Sequence, residues 1–392
     1  MVRSLILVQH ARQFGVLAFA VLLSFAGLGG LARANPMLLV DMDTLEVLSA
    51  EDAGLPWHPA SLTKLMTAYV TFEEIAKGTV SLDTPVVLSR HAINQAPSKS
   101  GLPVDSALSM QDALYVMLVK SANDVAMGIA ETVGGSEAGF VAKMNDAASR
   151  MGLTASHFAN PNGLDDPEQR MSARDLAVLA LYIRKSFPQY DPIFGTEAVQ
   201  LGGKRLESEN QLLTKFAGTT GMKTGFICAS GLNMVATVER NGRRLLAVVL
   251  GASSGRDRNE RAAELMLRGF SGSAGGTGQS VLGLANSPGV APVNMRPQIC
   301  GKQAAAYVKA QEAAFPMGLK GQPSYLNDVV AAATYMATDL GRIRANIALP
   351  RPRPMHLPAF PAVAGAAELR PGLSVAVDDG VPFPRPRPSF SN

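Results

Sequence analysis

Hydrophobic and polar positions follow different periods in different parts of this chain. Residues 38–40 and 45–48 are short apolar runs flanking Asp41-Met42-Asp43-Thr44, a pattern that predicts a hairpin. From residue 61 the period becomes helical: Leu62, Leu65, Met66, Tyr69 and Val70 predict a buried helix over 61–75 that stops before Gly78. A short strand is expected at 86–88, then a polar, turn-rich loop over a cleft at 92–109, carrying Pro97, Gly101 and Pro103. Helices are expected at 110–119, 125–133, 136–151 and 176–184, the last capped by Ser172-Ala173-Arg174-Asp175. The period then returns to that of strands at 221–228, 233–239 and 244–251, with Asn241-Gly242 marking a tight hairpin turn. An amphipathic helix follows at 258–269. Strands at both ends around a helical insert predict an α+β fold: an antiparallel sheet with flanking helices and a separate all-helical lobe.

The remainder has a different texture. Residues 273–295 are rich in glycine and serine and predict a linker, and 296–345 predict a small helical segment with helices at 304–315 and 326–340. Residues 346–392 form a Pro-rich tail in which Pro350-Arg351-Pro352-Arg353-Pro354 recurs as Pro384-Arg385-Pro386-Arg387-Pro388. Such a segment favours extended, solvated, disordered backbone. It is either an inert tail or a basic arm making peripheral contact with a membrane or an anionic wall polymer.

The N-terminus changes the apparent charge. Arg3 and Arg12 precede an apolar stretch at 14–31, and Ala32-Arg33-Ala34 has the small-residue spacing of a cleavage site, so residues 1–34 are expected to be a secretory signal peptide. The alternative is an uncleaved anchor, but the run is short and broken by Ser24, Gly27, Gly29 and Gly30. The whole chain carries a formal charge of +4, and cleavage would take three arginines and no acid, leaving +1. Nothing in that balance points to nucleic acid. The mature protein is expected on the periplasmic or envelope side of the cytoplasmic membrane. Its two cysteines, Cys228 and Cys300, are then free to form a disulfide, the alternative being two separate thiols. No metal-ligand spacing appears, and no cofactor is expected.

Candidate chemistry lies in three ordered elements. Pro59-Ala60-Ser61-Leu62-Thr63-Lys64 places a hydroxyl at a helix start, with a lysine one turn along on the same face. A lysine held in an apolar wall sheds its charge easily and is able to take a serine proton. Ser-x-x-Lys alone is weak, but Ser121-Ala122-Asn123 and Lys223-Thr224-Gly225 follow it in order.

With these motifs, and with 118–124, 160–164, 221–226 and 243–270, the chain resembles the low-molecular-weight penicillin-binding proteins, the serine-type D-alanyl-D-alanine carboxypeptidases, over about residues 37–270. The resemblance implies a β-lactamase/transpeptidase-like fold, a catalytic domain over 35–272 and a peptidoglycan stem peptide as substrate, with β-lactam antibiotics as inhibitors. It makes Ser61 the nucleophile, Lys64 the base and Ser121 a proton relay. Asn123 holds Lys64 and the substrate backbone, while Lys223, Thr224 and Arg258 meet the substrate carboxylate, with Arg256 a nearby competitor for Arg258. Gly225 admits the substrate to the strand, and the N–H groups of Ser61 and Phe226 form the oxyanion hole. Asn160 and Gly163 are expected to shape a loop. Ala122 stands where the family often has glycine. A β-lactamase or D,D-endopeptidase on the same scaffold, or a non-catalytic wall-binding protein, are the competing readings. The loop at 160–170 has Asp165, Asp166 and Glu168 but lacks the Glu-x-x-Leu-Asn pattern of class A β-lactamases. The β-rich C-terminal domain and terminal amphipathic helix of many members are not seen either.

Overall fold

The apolar run at 37–41 pairs antiparallel with the one at 245–249, more than 200 residues later. The computed structural model describes residues 35–343; the expected signal peptide and the whole of the expected Pro-rich tail lie outside them. Strands β1 (Met37–Asp41) and β2 (Val47–Glu51) form the expected hairpin, with Asp41 Oδ1 accepting the turn N–H groups of Asp43 and Thr44. Strands β3 (Pro85–Val87) and β4 (Ala107–Ser109) make a small ribbon, as do β5 (Thr196–Leu201) and β6 (Lys204–Glu207). Strands β7 (Thr219–Ile227), β8 (Gly231–Arg240) and β9 (Arg243–Ala252) complete an antiparallel five-stranded sheet of order β2-β1-β9-β8-β7. Asn241 and Gly242 turn β8 into β9 with φ of 53° and 75°, the left-handed pair that such a hairpin requires.

Both faces of this sheet are covered, which explains why β9 is an unbroken apolar run rather than an alternating one. Successive residues point to opposite faces. Leu245, Ala247 and Val249 pack on one core with helix 255–270, while Leu246, Val248 and Leu250 join the core of the helical lobe. At the centre of that lobe is α1 (Lys64–Ala76), twelve of whose thirteen residues are buried. Around it stand α2 (Met110–Val119), α3 (Asn123–Gly134), α4 (Glu137–Arg150) and α5 (Ala173–Ser186). The outer helix of the sheet is α6 (Gly255–Phe270). Serine caps start four of these helices: Ser109, Ser136, Ser172 and Ser254 each accept the N–H three residues on, and an acid lies in each first turn. Such a cap offsets an otherwise orphaned donor by about 1 kcal/mol.

The C-terminal segment departs from expectation in two places. Residues 273–295 do not swing free. Thr277 N–H donates to Val47 O at 3.0 Å, Val47 N–H to Gln279 O at 2.9 Å and Val281 N–H to Leu45 O at 2.9 Å, so the strap covers the open edge of β2. Its small residues provide no side-chain pattern, but its backbone groups find partners. Residues 326–340 are not a helix: after α7 (Ala304–Ala314) the chain runs extended, and β10 (Ala333–Ala337) pairs in parallel with β5. Val329, Val330, Thr334 and Tyr335 suit a strand, and β5 offers an unpaired edge that a local reading cannot see. Tyr335 stacks on Tyr115 with ring centroids 3.5 Å apart and donates its hydroxyl to Asp112 at 2.8 Å.

Candidate active site

Ser61 lies in a single 3-10 turn, Ala60–Thr63, that leads directly into α1. The residue before it, Ala60, has φ of 51°, a left-handed conformation unfavourable for a side chain with a Cβ. Two close approaches hold the turn in place. A Cβ on Gly225 of β7 would fall 2.9 Å from Pro59 O and 3.0 Å from Ser61 N; one on Gly163, which has φ of 82°, would fall 1.8 Å from Ala60 O. Glycine is therefore demanded on both flanks by the turn that carries Ser61. Gly225, expected to admit the substrate to the strand, thus also makes room for the Ser61 turn.

Lys64 follows at the first residue of α1 with no solvent exposure. Its Nζ is 2.9 Å from Ser61 Oγ, 2.6 Å from Asn123 Oδ1 and 2.7 Å from the Asn162 carbonyl. Burial, and secondarily the charge of Lys223, holds its pKa well below the ordinary value, with Asp124 opposing. A neutral amine has two N–H groups and one lone pair. The two oxygens of Asn123 and Asn162 can take the two hydrogens, which leaves the lone pair for the Ser61 hydroxyl. Once the proton has moved, all three ammonium hydrogens have acceptors.

Ser121 and Asn123 come from the connection between α2 and α3. Ser121 has φ of 63°, and Asn123 is the first residue of α3. The Asn123 side chain divides its work: Oδ1 faces Lys64, while Nδ2 donates to Ala96 O at 2.9 Å and so ties down the loop at 95–100.

Lys223 and Thr224 lie on β7, both buried, and Phe226 further along the same strand is 50% exposed. Burial, and then the charge of Arg258, pulls the Lys223 pKa down to about 7 against the pull of Glu209. Arg258 is in the first turn of α6, itself lowered to about 10 by burial. Its Nη2 donates to the Glu209 carbonyl at 2.8 Å and its Nε to Asn259 Oδ1 at 3.1 Å. Two buried cations thus sit together beside the strand edge, a natural environment for a carboxylate. Glu260 does not pair with Arg258; its carboxylate takes the Ser324 hydroxyl and the Tyr325 N–H. Arg256 points elsewhere, to the carbonyls of Phe315 and Met317.

The geometry supplies residues that the motifs did not. The Asn162 carbonyl is a third partner of Lys64. Gln169 ties the loop to the turn that carries Ser61: its Oε1 accepts from the Ala159 and Asn160 N–H groups and its Nε2 donates to Thr63 Oγ1. Asn160 shapes the loop as expected, accepting from Gly163 N–H at 2.7 Å. His58 is buried and its pKa is lowered by burial, against a contact with the Gln169 carbonyl and the charge of Asp165. The loop's acids are engaged with partners other than Ser61 and Lys64: Asp165 with Arg296, Asp166 with the Glu168 N–H, and Glu168 with Arg170. Cys228, just past β7, is bonded to Cys300. Among the described residues there is no cluster of His, Cys, Asp or Glu able to hold a metal ion.

The family model for D-alanyl-D-alanine carboxypeptidases matches residues 31–254, more than half of the chain. The chain belongs to this D-alanyl-D-alanine carboxypeptidase family. Among its relatives, D-alanyl-D-alanine carboxypeptidase DacD of Salmonella typhimurium is 34% identical over 250 residues, which are 62% of this chain and 64% of that protein. DacF of Bacillus subtilis is 30% identical over 61% of this chain and 62% of its own length. The chain thus spans less than two thirds of the length of these curated relatives. The crystal structure of penicillin binding protein 6B from Escherichia coli superimposes with a TM-score of 0.58 at 32% identity, over 61% of this chain and 77% of that one. Penicillin binding protein 5 from Haemophilus influenzae gives the same TM-score at 30% identity. The family's carboxypeptidase fold and the α+β architecture expected from the sequence therefore agree.

Proposed function

We propose that this family member is a serine D,D-carboxypeptidase that removes the terminal D-alanine from peptidoglycan stem peptides. The observation that carries the reading is the buried, proton-poor amine of Lys64 at 2.9 Å from Ser61 Oγ. Ser61 Oγ attacks the carbonyl between the last two D-alanines while its proton passes to Lys64. The N–H groups of Ser61 and Phe226 receive the developing oxyanion. Ser121 hands a proton to the departing amine, because a hydroxyl both donates and accepts. D-Alanine leaves, and water then hydrolyses the acyl-serine. Lys223, Thr224 and Arg258 hold the substrate's terminal carboxylate, and Asn123 orients both Lys64 and the peptide. β-Lactams acylate the same serine and act as inhibitors. Residues 35–272 make up the catalytic domain. Export to the envelope suits both the leader sequence and the disulfide.

The test mixes the purified chain with a fluorescent penicillin and with a pentapeptide ending in D-Ala-D-Ala, beside a Ser61→Ala variant. A lasting adduct on the native chain alone, with release of D-alanine, is expected. An adduct without D-alanine release would shift the substrate to a cross-linked peptide, the endopeptidase reading. Rapid turnover of the penicillin with no adduct would make it a β-lactamase, and no reaction would leave a wall-binding protein.

A further inference from the structure

The turn that carries Ser61 is gripped between two walls, and one short segment outside the catalytic motifs touches both. One wall is β7, whose Gly225 lies against Pro59 and Ser61; the other is the loop at 160–170, whose Gly163 lies against Ala60 and whose Asn162 carbonyl receives Lys64. The segment 295–300 is joined to the first wall by the Cys300–Cys228 bond and by Met295 N–H donating to Ala229 O at 2.9 Å. It is joined to the second by the ion pair of Arg296 with Asp165. Trp57, just ahead of the turn, runs a parallel link: its Nε1 donates to Ser230 O at 2.9 Å and its N–H to Met171 O at 2.8 Å.

We propose that Cys228, Cys300, Asp165 and Arg296 are positioning residues: together they form a clasp that fixes the gap between the two walls and so aims Ser61, the Phe226 N–H and the Asn162 carbonyl at a common point. The effect on chemistry rests on the acyl-serine reading above. A gap looser by a fraction of an ångström leaves substrate recognition by Lys223 and Arg258 largely intact, because both lie on the sheet side of the cleft. It does misplace the nucleophile against its base and oxyanion donors, and small misplacements of that kind cost up to about a hundredfold in rate. The covalent tie is the stronger half. The side chains of Arg296 and Asp165 are about half exposed, and such pairs contribute little on their own.

The experiment compares the full native chain with the double variant Cys228→Ser/Cys300→Ser and with Arg296→Ala and Arg296→Lys. Acylation by a fluorescent penicillin is resolved into non-covalent affinity and acylation rate. Hydrogen exchange is followed in peptides covering 160–170 and 223–230, with Tm alongside. The expected result for the double variant is an acylation rate lower by about tenfold with affinity changed less than about twofold, and faster exchange in both walls. Arg296→Ala is expected to lose about twofold, restored by Arg296→Lys. If the serine pair does not fold, reduction of the folded native chain by excess dithiothreitol gives the same comparison. A lower Tm with unchanged acylation rate would make the bridge a plain staple and overturn the proposal. Faster exchange confined to 223–230 would do so as well. Exchange is read without turnover, so it judges the clasp even if the native chain forms no adduct, an outcome that would overturn only the acyl-serine reading.

Discussion

The catalytic body, residues 35–270, and the band that follows it, 271–343, are held by different forces. The body is built on two apolar cores to which α1, the sheet and α6 contribute whole faces. The band buries few side chains, among them Val281, Met295 and Ala337. It is fastened instead by backbone hydrogen bonds along β2, by pairing to β5, by polar ties at Arg256 and Glu260, and by one disulfide. Burial of periodic apolar residues specifies a structure from within, whereas a band laid on existing edges takes its conformation from what it touches. The side chains of the proposed acyl-serine chemistry all come from the first kind of region, and the band reaches them through its ties at Cys228 and Asp165.

The largest expected effect is in the body. Ser61→Ala should abolish penicillin acylation, by at least about a thousandfold, with Tm little changed, because the Oγ contact shown is with Lys64 alone. Intact-mass kinetics with a thermal melt checks both halves. Gly163→Ala should come next. Its left-handed backbone and the 1.8 Å approach to Ala60 O leave no room for a methyl group, so stability should fall by about 1–3 kcal/mol and acylation by more than about tenfold. Denaturant melts and acylation rates measure these together. A silent Gly163→Ala would show that the grip on the nucleophile's turn is not needed.

Much of the body was legible because its signals are local. The helix 110–119 falls where its apolar run put it, and Lys64 lies beside Ser61 as their helical spacing implied, with Asn123 joining them as the resemblance implied. The Asn162 carbonyl was not legible, because a backbone oxygen leaves no signature in residue identity. Gly225 was marked as important, but its reason, the approach to Pro59 and Ser61, depends on a turn more than 160 residues earlier. The helix expected at 326–340 is instead extended chain with β10, because its partner, β5, is distant in sequence. The disulfide was open in sequence for the same reason, since spacing carries no proximity.

A pH experiment probes the two amines. Burial lowers Lys223 to about 7 from the ordinary lysine value of 10.5, so between those values the unfolded chain holds the extra proton and this group makes folding more favourable as pH rises. Carboxylate binding runs the other way, because it needs the charged form. The KM for a substrate with a free C-terminal carboxylate should increase above about pH 7, and Lys223→Arg should flatten that limb. Steady-state kinetics across pH 6–9 would show it, and a KM independent of pH would place the carboxylate on Arg258 alone. The smallest effect is expected in the band. Tyr335→Phe removes a hydroxyl bonded to Asp112 and should cost about 1 kcal/mol, with acylation unchanged within about twofold.

The central claim is that Ser61 is the nucleophile and neutral Lys64 its base. Peptide mapping of the penicillin-treated chain, with the acylation rate followed against pH, tests it most directly. The adduct should map to Ser61, and its rate should rise with pH as Lys64 loses its proton, a limb absent from a Lys64→Met variant. An adduct on Ser121, or a rate on Ser61 that ignores both pH and the loss of Lys64, would contradict it.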